Sequence, residues 1–278
     1  MTRHQKKWIL ALLLAALVVW ALWANKALEV NTYTLSSSRI PESFDGFRIV
    51  QISDFHNEQF GEGNEKLLDL VAGTSPDIIV ITGDMIDSRR TNVEIALDLA
   101  EELVKIAPVY YVTGNHEVRV KPEYETLQAG LAELGVTQLK NESVWLTRGE
   151  ERVLLMGLED PTFRWSRDPK STVGLLQDMK PETGEYTIVL SHRPELFEQY
   201  VESGVDLVLT GHAHGGQFRL PFVGGVYVPD QGLFPEYDAG LITQDNTSMI
   251  ISRGLGNSVI PLRINNRPEI VVAELRTK

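Results

Sequence analysis

Apolar and polar residues alternate along this chain in blocks that predict strands separated by helices. Short apolar runs at 47–52, 77–82 and 108–112 indicate buried β-strands. Between them, apolar residues at 64–72 and 92–106 recur with the spacing of amphipathic helices. This β-α-β-α-β order is typical of a parallel sheet built from crossover units of about 30 residues.

The second half continues the alternation and then changes in character. The predicted elements are a helix at 123–134, a hairpin of strands 144–146 and 152–156, a strand at 186–190, a helix at 195–202 and a strand at 206–209. Beyond residue 215 the chain is rich in glycine and proline, with strand patterns at 248–252 and 269–275. We expect these two segments to lie in a second, more antiparallel sheet that closes the domain.

A continuous apolar run at the N-terminus stands apart. Residues 8–24 are 17 uncharged, strongly apolar residues, which as a helix span roughly 25 Å, close to the thickness of a bilayer core. The run is longer than a usual signal-peptide core and no Ala-x-Ala site follows, so an uncleaved anchor is favoured over a cleaved signal. The sequence predicts a membrane anchor or signal peptide at 1–27, a segment at 28–46 that leads into the domain and packs on it, and one domain at 47–278.

The distribution of charged residues predicts the orientation of this run in a membrane and disfavours one class of partner. Arg3, Lys6 and Lys7 precede the run against a lone Lys26 after it, so the positive-inside rule predicts a single-pass cell-membrane protein with a cytoplasmic N-terminus and an extracytoplasmic domain. The chain carries −12 in total and residues 1–30 carry +3, which leaves −15 on the body. Such a body disfavours a nucleic acid duplex as partner. The absence of cysteine excludes thiolate metal ligands, and no obligate protein partner is indicated.

A short polar motif follows each of five predicted strands. The motifs are Ser53-Asp54-Phe55-His56, Gly83-Asp84, Gly114-Asn115-His116-Glu117, Ser191-His192-Arg193-Pro194 and Gly211-His212-Ala213-His214-Gly215-Gly216-Gln217. Asp54, Asp84 and Asn115 are separated by 30 and 31 residues, so successive parallel strands bring them to one edge of a sheet. Imidazole, carboxylate and amide groups at one edge are the ligands that two adjacent divalent cations need.

Each motif alone is a weak indication. Asp-x-His and Gly-Asp are common in turns after strands, and Gly-Asn-His-Glu could be a turn with a left-handed asparagine. Gly-His-x-His after a buried strand is more specific, because alternate positions place both imidazoles on one side of an extended chain. All five motifs in order, each after a strand, make ordinary turn chemistry an improbable explanation.

In order and spacing, the motifs resemble those of the calcineurin-like metallophosphoesterase superfamily: D-x-H, G-D, G-N-H-E, H and G-H-x-H. The resemblance runs from residue 47 to the C-terminus, and the G-H-A-H-G-G-Q extension with the tail 252–264 is similar to a bacterial membrane-associated phosphodiesterase group. It implies an α/β fold, a four-layer αββα sandwich of two mixed β-sheets flanked by helices, here with an N-terminal transmembrane helix.

The resemblance also implies a ligand set for two divalent metal ions. One ion would be held by Asp54, His56, Asp84 and His214, and the other by Asp84, Asn115, His192 and His212. Asp84 would bridge, since a carboxylate can bind one cation through each oxygen. Mn²⁺ is favoured over iron or zinc, which the nitrogen and oxygen ligands also suit. A water between the ions, as hydroxide, is the expected nucleophile.

Other residues receive supporting or ordinary roles. By resemblance His116 is catalytic: it would donate a hydrogen bond to the phosphoryl oxygen or a proton to the leaving group. Glu117 is expected to orient its loop. Arg253 and Arg263 could help to hold a phosphate, but a salt-bridged surface role is favoured.

These expectations describe a membrane-anchored phosphoesterase. A phosphodiester or pyrophosphate bond in a phosphorylated small molecule, or in a lipid- or envelope-associated one, is the favoured substrate. The alternatives are a phosphomonoesterase or protein phosphatase, and a non-catalytic protein-binding scaffold with the same fold. Scaffolds of this kind usually lack histidines, above all at the position of His116, which is present here.

Overall fold

The computed structural model describes residues 2–164, 170–257 and 261–278. Within these ranges the helices are α1 (Arg3–Ala24), α2 (Glu65–Gly73), α3 (Val93–Ile106), α4 (Asn115–Arg119), α5 (Lys121–Glu133), α6 (Pro161–Arg164), α7 (Thr172–Met179) and α8 (Phe197–Ser203). The strands are β1 (Glu29–Ser37), β2 (Arg48–Ile52), β3 (Ile78–Thr82), β4 (Val109–Val112), β5 (Thr137–Gln138), β6 (Glu142–Arg148), β7 (Glu151–Gly157), β8 (Thr187–Leu190), β9 (Leu207–Thr210), β10 (Arg219–Leu220), β11 (Gly224–Gly225), β12 (Tyr227–Val228), β13 (Gly232–Leu233), β14 (Gly240–Gln244), β15 (Thr247–Ile251) and β16 (Glu269–Thr277).

Two six-stranded mixed sheets form the centre of the domain. The first has the order β1-β16-β2-β3-β4-β5, and its strands are parallel except where β16 pairs with β2. The second has the order β14-β15-β9-β8-β7-β6, with three parallel pairs inside and an antiparallel pair at each edge. Short hairpins β10–β11 and β12–β13 follow the last motif loop.

Side chains at alternate strand positions pack on opposite faces of the sheets and form three hydrophobic clusters, one between the sheets and one on the outer face of each sheet. In β2, Ile49 packs between the two sheets, whereas Val50 packs against helices α2, α3 and α5 on the outer face of the first sheet. In β7, Leu155 likewise faces the other sheet and Leu154 faces helices α7 and α8. This period-two pattern confirms the expected four-layer αββα sandwich.

The C-terminal strand lies in a different sheet from the one expected. The prediction that 269–275 joins the second sheet is wrong: β16 pairs with β1 and β2 in the first sheet, while β15 pairs with β9 in the second. Val271 packs between the sheets and Ile270 packs toward the helices, so both faces of β16 are buried. An apolar strand buried on both faces carries no alternation that could assign it to one sheet.

Helix α1 lies largely outside these layers. Thr2 and Gln5 cap its start reciprocally, and most of its apolar side chains are exposed, although Ala24 at its end is buried. In the described part of the chain it is the one helix long and apolar enough to cross a bilayer. Asn25, which follows it, hydrogen-bonds the backbone N–H and C=O of Arg263 at 2.8 and 3.1 Å. The end of the apolar helix is therefore fixed to a loop of the domain.

Candidate metal centre

The structure brings all seven predicted ligand side chains together, and every one is buried. They lie in the loops that follow β2 and β3 of the first sheet and β8 and β9 of the second, except for Asn115, which begins helix α4 after β4. Because the parallel strands of each sheet end at the same edge, the loops meet where the two sheets pack. The ligand residues are Asp54, His56, Asp84, Asn115, His192, His212 and His214.

One cluster combines Asp54, His56 and His214. The Nε2 atoms of the two histidines lie 3.2 Å apart, and Nε2 of His214 lies 3.4 Å from Oδ1 of Asp54. These atoms are close enough to contact a single metal ion. These are three of the four residues in the first predicted ligand set; the fourth is Asp84, which is shared with the second set.

A second cluster combines Asp84, His192 and His212. Nε2 of His192 lies 3.3 Å from Oδ2 of Asp84 and 3.2 Å from the side-chain oxygen of Asn115. The four residues are those predicted for the second ion, and they offer only nitrogen and oxygen atoms.

Asp84 joins the two clusters through one oxygen. Its Oδ2 lies 3.6 Å from Nε2 of His56 and 3.3 Å from Nε2 of His192. Its Oδ1 instead accepts the backbone N–H of His116 at 2.8 Å. We expected each carboxylate oxygen of Asp84 to face one ion. In the structure Oδ2 alone faces both clusters.

Backbone strain is concentrated in these loops. The ligand residues with left-handed φ are Asp54 (51°), His56 (48°), Asp84 (53°), His212 (64°) and His214 (47°). Residues other than glycine rarely adopt this conformation, and it persists where the surrounding structure imposes it. A Cβ on neighbouring Gly211 would lie 1.9 Å from Oγ of Ser53, so the two loops pack too closely for any side chain there. Strain of this kind is typical of functional sites.

Outer hydrogen-bond partners orient the imidazoles. Nδ1 of His192 donates to the carbonyl of Thr82 at 2.8 Å, so Nε2 is the nitrogen that faces Asp84 and Asn115. Nε2 of His212 lies 3.2 Å from the Asp230 carboxylate and 3.1 Å from the Arg193 guanidinium, and these two groups hold that side of the ring in place. Nδ1 of His56 and Oδ2 of Asp87 are both buried without a hydrogen-bond partner and lie 3.6 Å apart.

Burial keeps the two imidazoles of the first cluster uncharged. It lowers the pKa of His56 well below its ordinary value and the pKa of His214 to about 4, because a buried imidazolium loses its hydration. Burial also opposes the charged form of His192, but Asp84 and more distant carboxylates outweigh it and raise the pKa of that residue to about 10. The second cluster is thus a place that attracts positive charge.

These observations fit two divalent cations. Imidazole nitrogens and carboxylate oxygens converge, a carboxylate oxygen lies between the two groups, and outer acceptors fix the ring orientations. A pair of ions with shared carboxylate coordination has these requirements.

Glu117 holds two motif loops together. Its Oε2 accepts the backbone N–H groups of Asp84 and Gly114 at 3.1 and 2.9 Å, and its Oε1 accepts that of Met85 at 2.7 Å. Burial, reinforced by the charge of Asp84, raises the pKa of Glu117 to about 8. The side chain contacts backbone amides of the loops, which agrees with the predicted orienting role.

His116 lies beside the clusters, with its ring 4.5 Å from that of His56. Its Nδ1 accepts the backbone N–H of Ser88 at 3.0 Å, so the neutral ring carries its proton on Nε2. Burial lowers the pKa of His116, which favours this neutral form. Nε2 lies 3.5 Å from the Arg119 guanidinium.

A cavity of about 310 Å³ opens over this side of the clusters. Its lining residues are Asp84, Arg89, Asn115, His116, Arg119, His212, Ala213, His214, Gln217, Tyr227 and Pro229. The sequence reasoning missed Arg89, Arg119 and Tyr227 because they lie outside the motifs. Of these three residues, only Arg119 lies next to a motif, two residues after Glu117 in the same helix. That position could have indicated a place in the cavity wall.

Two arginines near the ligands were also misjudged or missed. The expectation that Arg263 has a surface role is wrong: it is fully buried, and its guanidinium lies 3.3 Å from Nδ1 of His214. Arg253 is ion-paired with Glu269, as expected of a salt-bridged residue. Arg193 bonds Asp160 and Asp230 at 2.6 Å each and borders His212.

A four-layer αββα sandwich with two adjoining histidine–aspartate clusters at its strand ends offers the ligands that a metal-dependent hydrolase needs. Residues 47–216 match the sequence model of the family described as "Calcineurin-like phosphoesterase". The chain belongs to this family and is a metal-dependent phosphoester hydrolase.

Similar proteins occur in bacteria and animals. The metallophosphoesterase YkuE of Bacillus subtilis (strain 168) is 32% identical over 257 residues, which are 90% of this chain and 86% of YkuE. The "Phosphodiesterase YaeI" of Escherichia coli (strain K12) is 29% identical over 233 residues, 82% of each chain. A "Transmembrane protein with metallophosphoesterase domain" of Danio rerio is 28% identical over 277 residues, 94% of this chain and 61% of the fish protein.

Proposed function

We propose that this chain is a membrane-anchored, two-metal phosphodiesterase that hydrolyses a phosphodiester or pyrophosphate bond in a lipid- or envelope-associated molecule. The observation that carries the proposal is the position of Asp84 Oδ2 between two buried clusters. The cavity beside them has His116 in its wall, so a substrate there would meet both clusters and a neutral imidazole.

The proposed ligand sets follow the clusters. One ion is held by Asp54, His56, Asp84 and His214, and the other by Asp84, Asn115, His192 and His212. Bound ions supply positive charge that attracts a phosphate and lowers the pKa of water. Mn²⁺ is our first choice, because the ligands are nitrogen and oxygen atoms without thiolate.

The remaining side chains bind and orient the phosphoryl group. Nε2–H of His116 donates to a phosphoryl oxygen or to the leaving-group oxygen, since its Nδ1 is occupied by the Ser88 amide. Arg89 and Arg119 line the cavity and add positive charge that favours an anionic substrate. Glu117 keeps the loop of Asp84 in place and touches no substrate.

Two observations favour a diester or pyrophosphate near a membrane. The similar protein YaeI is named a phosphodiesterase. Helix α1 is long and apolar enough to span a bilayer, and its end is bonded to the loop of Arg263, which contacts His214. A bilayer-held α1 would keep the cavity close to the membrane surface.

We place the N-terminus in the cytoplasm and the domain outside it, from the basic residues Arg3, Lys6 and Lys7. The chain has no cysteine, so a single cysteine at exposed Glu150 reports the side. A membrane-impermeant maleimide should label Glu150→Cys in intact cells. Labelling only after the cells are broken would reverse the topology.

A substrate screen tests the activity. The full chain, purified in detergent and loaded with Mn²⁺, is assayed with p-nitrophenyl phosphate, bis(p-nitrophenyl) phosphate and a lipid pyrophosphate. Hydrolysis of diester or pyrophosphate that stops with chelator is expected. Activity on the monoester alone would overturn the diesterase preference, and inactivity of the metal-loaded chain on all three would favour the scaffold alternative.

A further inference from the structure

Two hairpins beside the cavity expose an unusual amount of apolar surface. Their exposed side chains, here called the apolar rim, are Leu220, Phe222, Val223, Tyr227, Leu233 and Phe234. Phe222 is fully exposed, and Val223, Leu233 and Phe234 are each more than half exposed. Single exposed apolar residues are ordinary, but six in two adjacent hairpins mark an interaction surface.

The backbone at two rim positions, one in the β10–β11 turn and one just after β13, reinforces this point. Phe222 and Phe234 have φ of 66° and 53°, a left-handed conformation that is an outlier for a bulky aromatic residue. Glycine or asparagine would fit these positions with less strain and better solvation. The exposed phenyl rings are disfavoured in water, so an apolar environment is the condition that favours them.

The rim borders the cavity opening. Phe234 donates its backbone N–H to Val226 O at 2.9 Å, and Val226 donates to Phe218 O at 2.8 Å, which joins the two hairpins into one unit. Tyr227 belongs to the rim and also lines the cavity with His116. A surface that covers the rim therefore faces the entrance to the metal centre.

The rim is also close to the end of α1. The segment 261–267 bonds both: Ile264 O accepts from the N–H of Arg219, and Arg263 is bonded to Asn25. Arg267 donates to the carbonyls of Ala27 and Leu28. One short segment thus connects the rim hairpins to the point where the apolar helix leaves the domain.

From this geometry we propose that the apolar rim inserts into the surface of the bilayer that α1 spans, so that the cavity opens onto lipid headgroups. The inference rests on the proposed function and makes it more specific, because the substrate is then the phosphodiester or pyrophosphate of a lipid headgroup presented from the membrane. Interfacial binding of this kind grows with the apolar area that is buried.

A bilayer fits the rim better than a protein partner does. The hairpin turns are narrow: three residues lie between Leu220 and Gly224, and three lie between Val228 and Gly232. Arg267 lies 5.4 Å from the ring of Trp23, a pairing of arginine and tryptophan typical of the membrane interface. The rim is also continuous, through 261–267, with the helix end that enters the membrane.

Fluorescence quenching tests the insertion directly. The full chain is prepared as Phe222→Cys with an NBD label, in nanodiscs that hold one chain each, and doxyl-labelled lipids serve as quenchers. We expect strong quenching at position 222 and none at a matched Glu150→Cys label, which lies in the β6–β7 turn, at the end of the parallel strands opposite to the ligand loops. Quenching at position 222 by aqueous iodide alone would overturn the proposal, as would protection that appears only when each disc holds two chains, since a second copy would then cover the rim.

An activity pair tests the consequence. Phe222→Asn with Val223→Asp removes the apolar tip and keeps a residue that tolerates left-handed φ. We expect about 10-fold lower kcat/KM on a lipid pyrophosphate in vesicles, unchanged activity on bis(p-nitrophenyl) phosphate, and no loss for Trp145→Asn, which removes an exposed apolar residue from β6. Equal rates on the lipid before and after the tip change would contradict the rim's role. Inactivity of the unaltered chain on both substrates would instead reject the proposed function, whatever the quenching result.

Discussion

The backbone amide of His116 donates to Oδ1 of Asp84 at 2.8 Å. This bond ties the loop of the proposed hydrogen-bond donor to the proposed bridging ligand, and it comes from the main chain of His116. The side chain of His116 can therefore be removed without breaking the link, which separates the role of the imidazole from that of the loop.

Replacing His116 with alanine should slow turnover and spare the metals. General acid or hydrogen-bond assistance typically contributes about 10² to 10⁴-fold, and the ring belongs to neither proposed ligand set. We expect kcat on a phosphodiester to fall by that factor while elemental analysis finds nearly normal metal content. His4→Ala, in the exposed leader, is the control. Loss of both ions in His116→Ala would contradict the assignment.

Replacing Glu117 with glutamine should loosen two loops. The two carboxyl oxygens accept three backbone N–H groups, and the amide of glutamine would direct its own N–H donors at some of them. Unfolding in urea should show a loss of about 1–3 kcal/mol. Glu123→Gln, at an exposed position of α5, should change the free energy of unfolding little. Equal stability of the two variants would mean that Glu117 does not hold the loops.

Replacing Gly211 with alanine should separate the loops that carry Asp54 and His212. The added Cβ would lie 1.9 Å from Oγ of Ser53 and 2.4 Å from Oδ2 of Asp54, so one loop must move. We expect a loss of about 3 kcal/mol in the free energy of unfolding and weaker metal binding. Gly73→Ala, where a Cβ meets nothing within 4 Å, is the matched control. A Gly211→Ala protein with normal stability and metal affinity would count against this packing.

Removing metal should lower thermal stability as well as activity. Ions that bind only the folded chain stabilise it by about 2.7 kcal/mol at a concentration 100 times Kd. Chelation should therefore lower Tm by about 5 °C or more, and added Mn²⁺ should restore it. The physical basis of this effect is that the cations are bound by the carboxylates of Asp54 and Asp84 and by the imidazoles, which meet only in the folded chain. An unchanged Tm across chelation and reloading would argue that the clusters bind no ion.

Much of the fold could be predicted because buried parallel strands are continuous apolar runs in the sequence, and a polar motif follows the end of five of them. Asp54, Asp84 and Asn115 follow adjacent strands, so spacing alone predicted that they meet. The histidines of the second sheet were harder to place, since their contact with Asp84 depends on how the two sheets pack. The family resemblance supplied that link, and the structure brings the atoms together.

The features that sequence reasoning missed depend on tertiary packing. Nothing local predicts that Asp84 turns one oxygen to both clusters and the other to the His116 amide. The burial of Arg263 follows from its place behind His214, which an arginine between apolar residues does not reveal. The exposure of Phe222 could not be predicted either, because a phenylalanine within a short apolar run is more often buried in the core than exposed in a turn.

The metal content of the unaltered chain and of Asp84→Asn tests the central claim most directly. Full chains in saturating Mn²⁺ are freed of excess metal and measured by elemental analysis together with phosphodiester hydrolysis, with exposed Asp69→Asn as the control. We predict two ions per chain with activity for the unaltered protein and the control, and at most one ion with no activity for Asp84→Asn, because the neutral amide cannot bridge two cations. A single ion in the active unaltered chain, or two ions and full activity in Asp84→Asn, would contradict a metal centre built on Asp84.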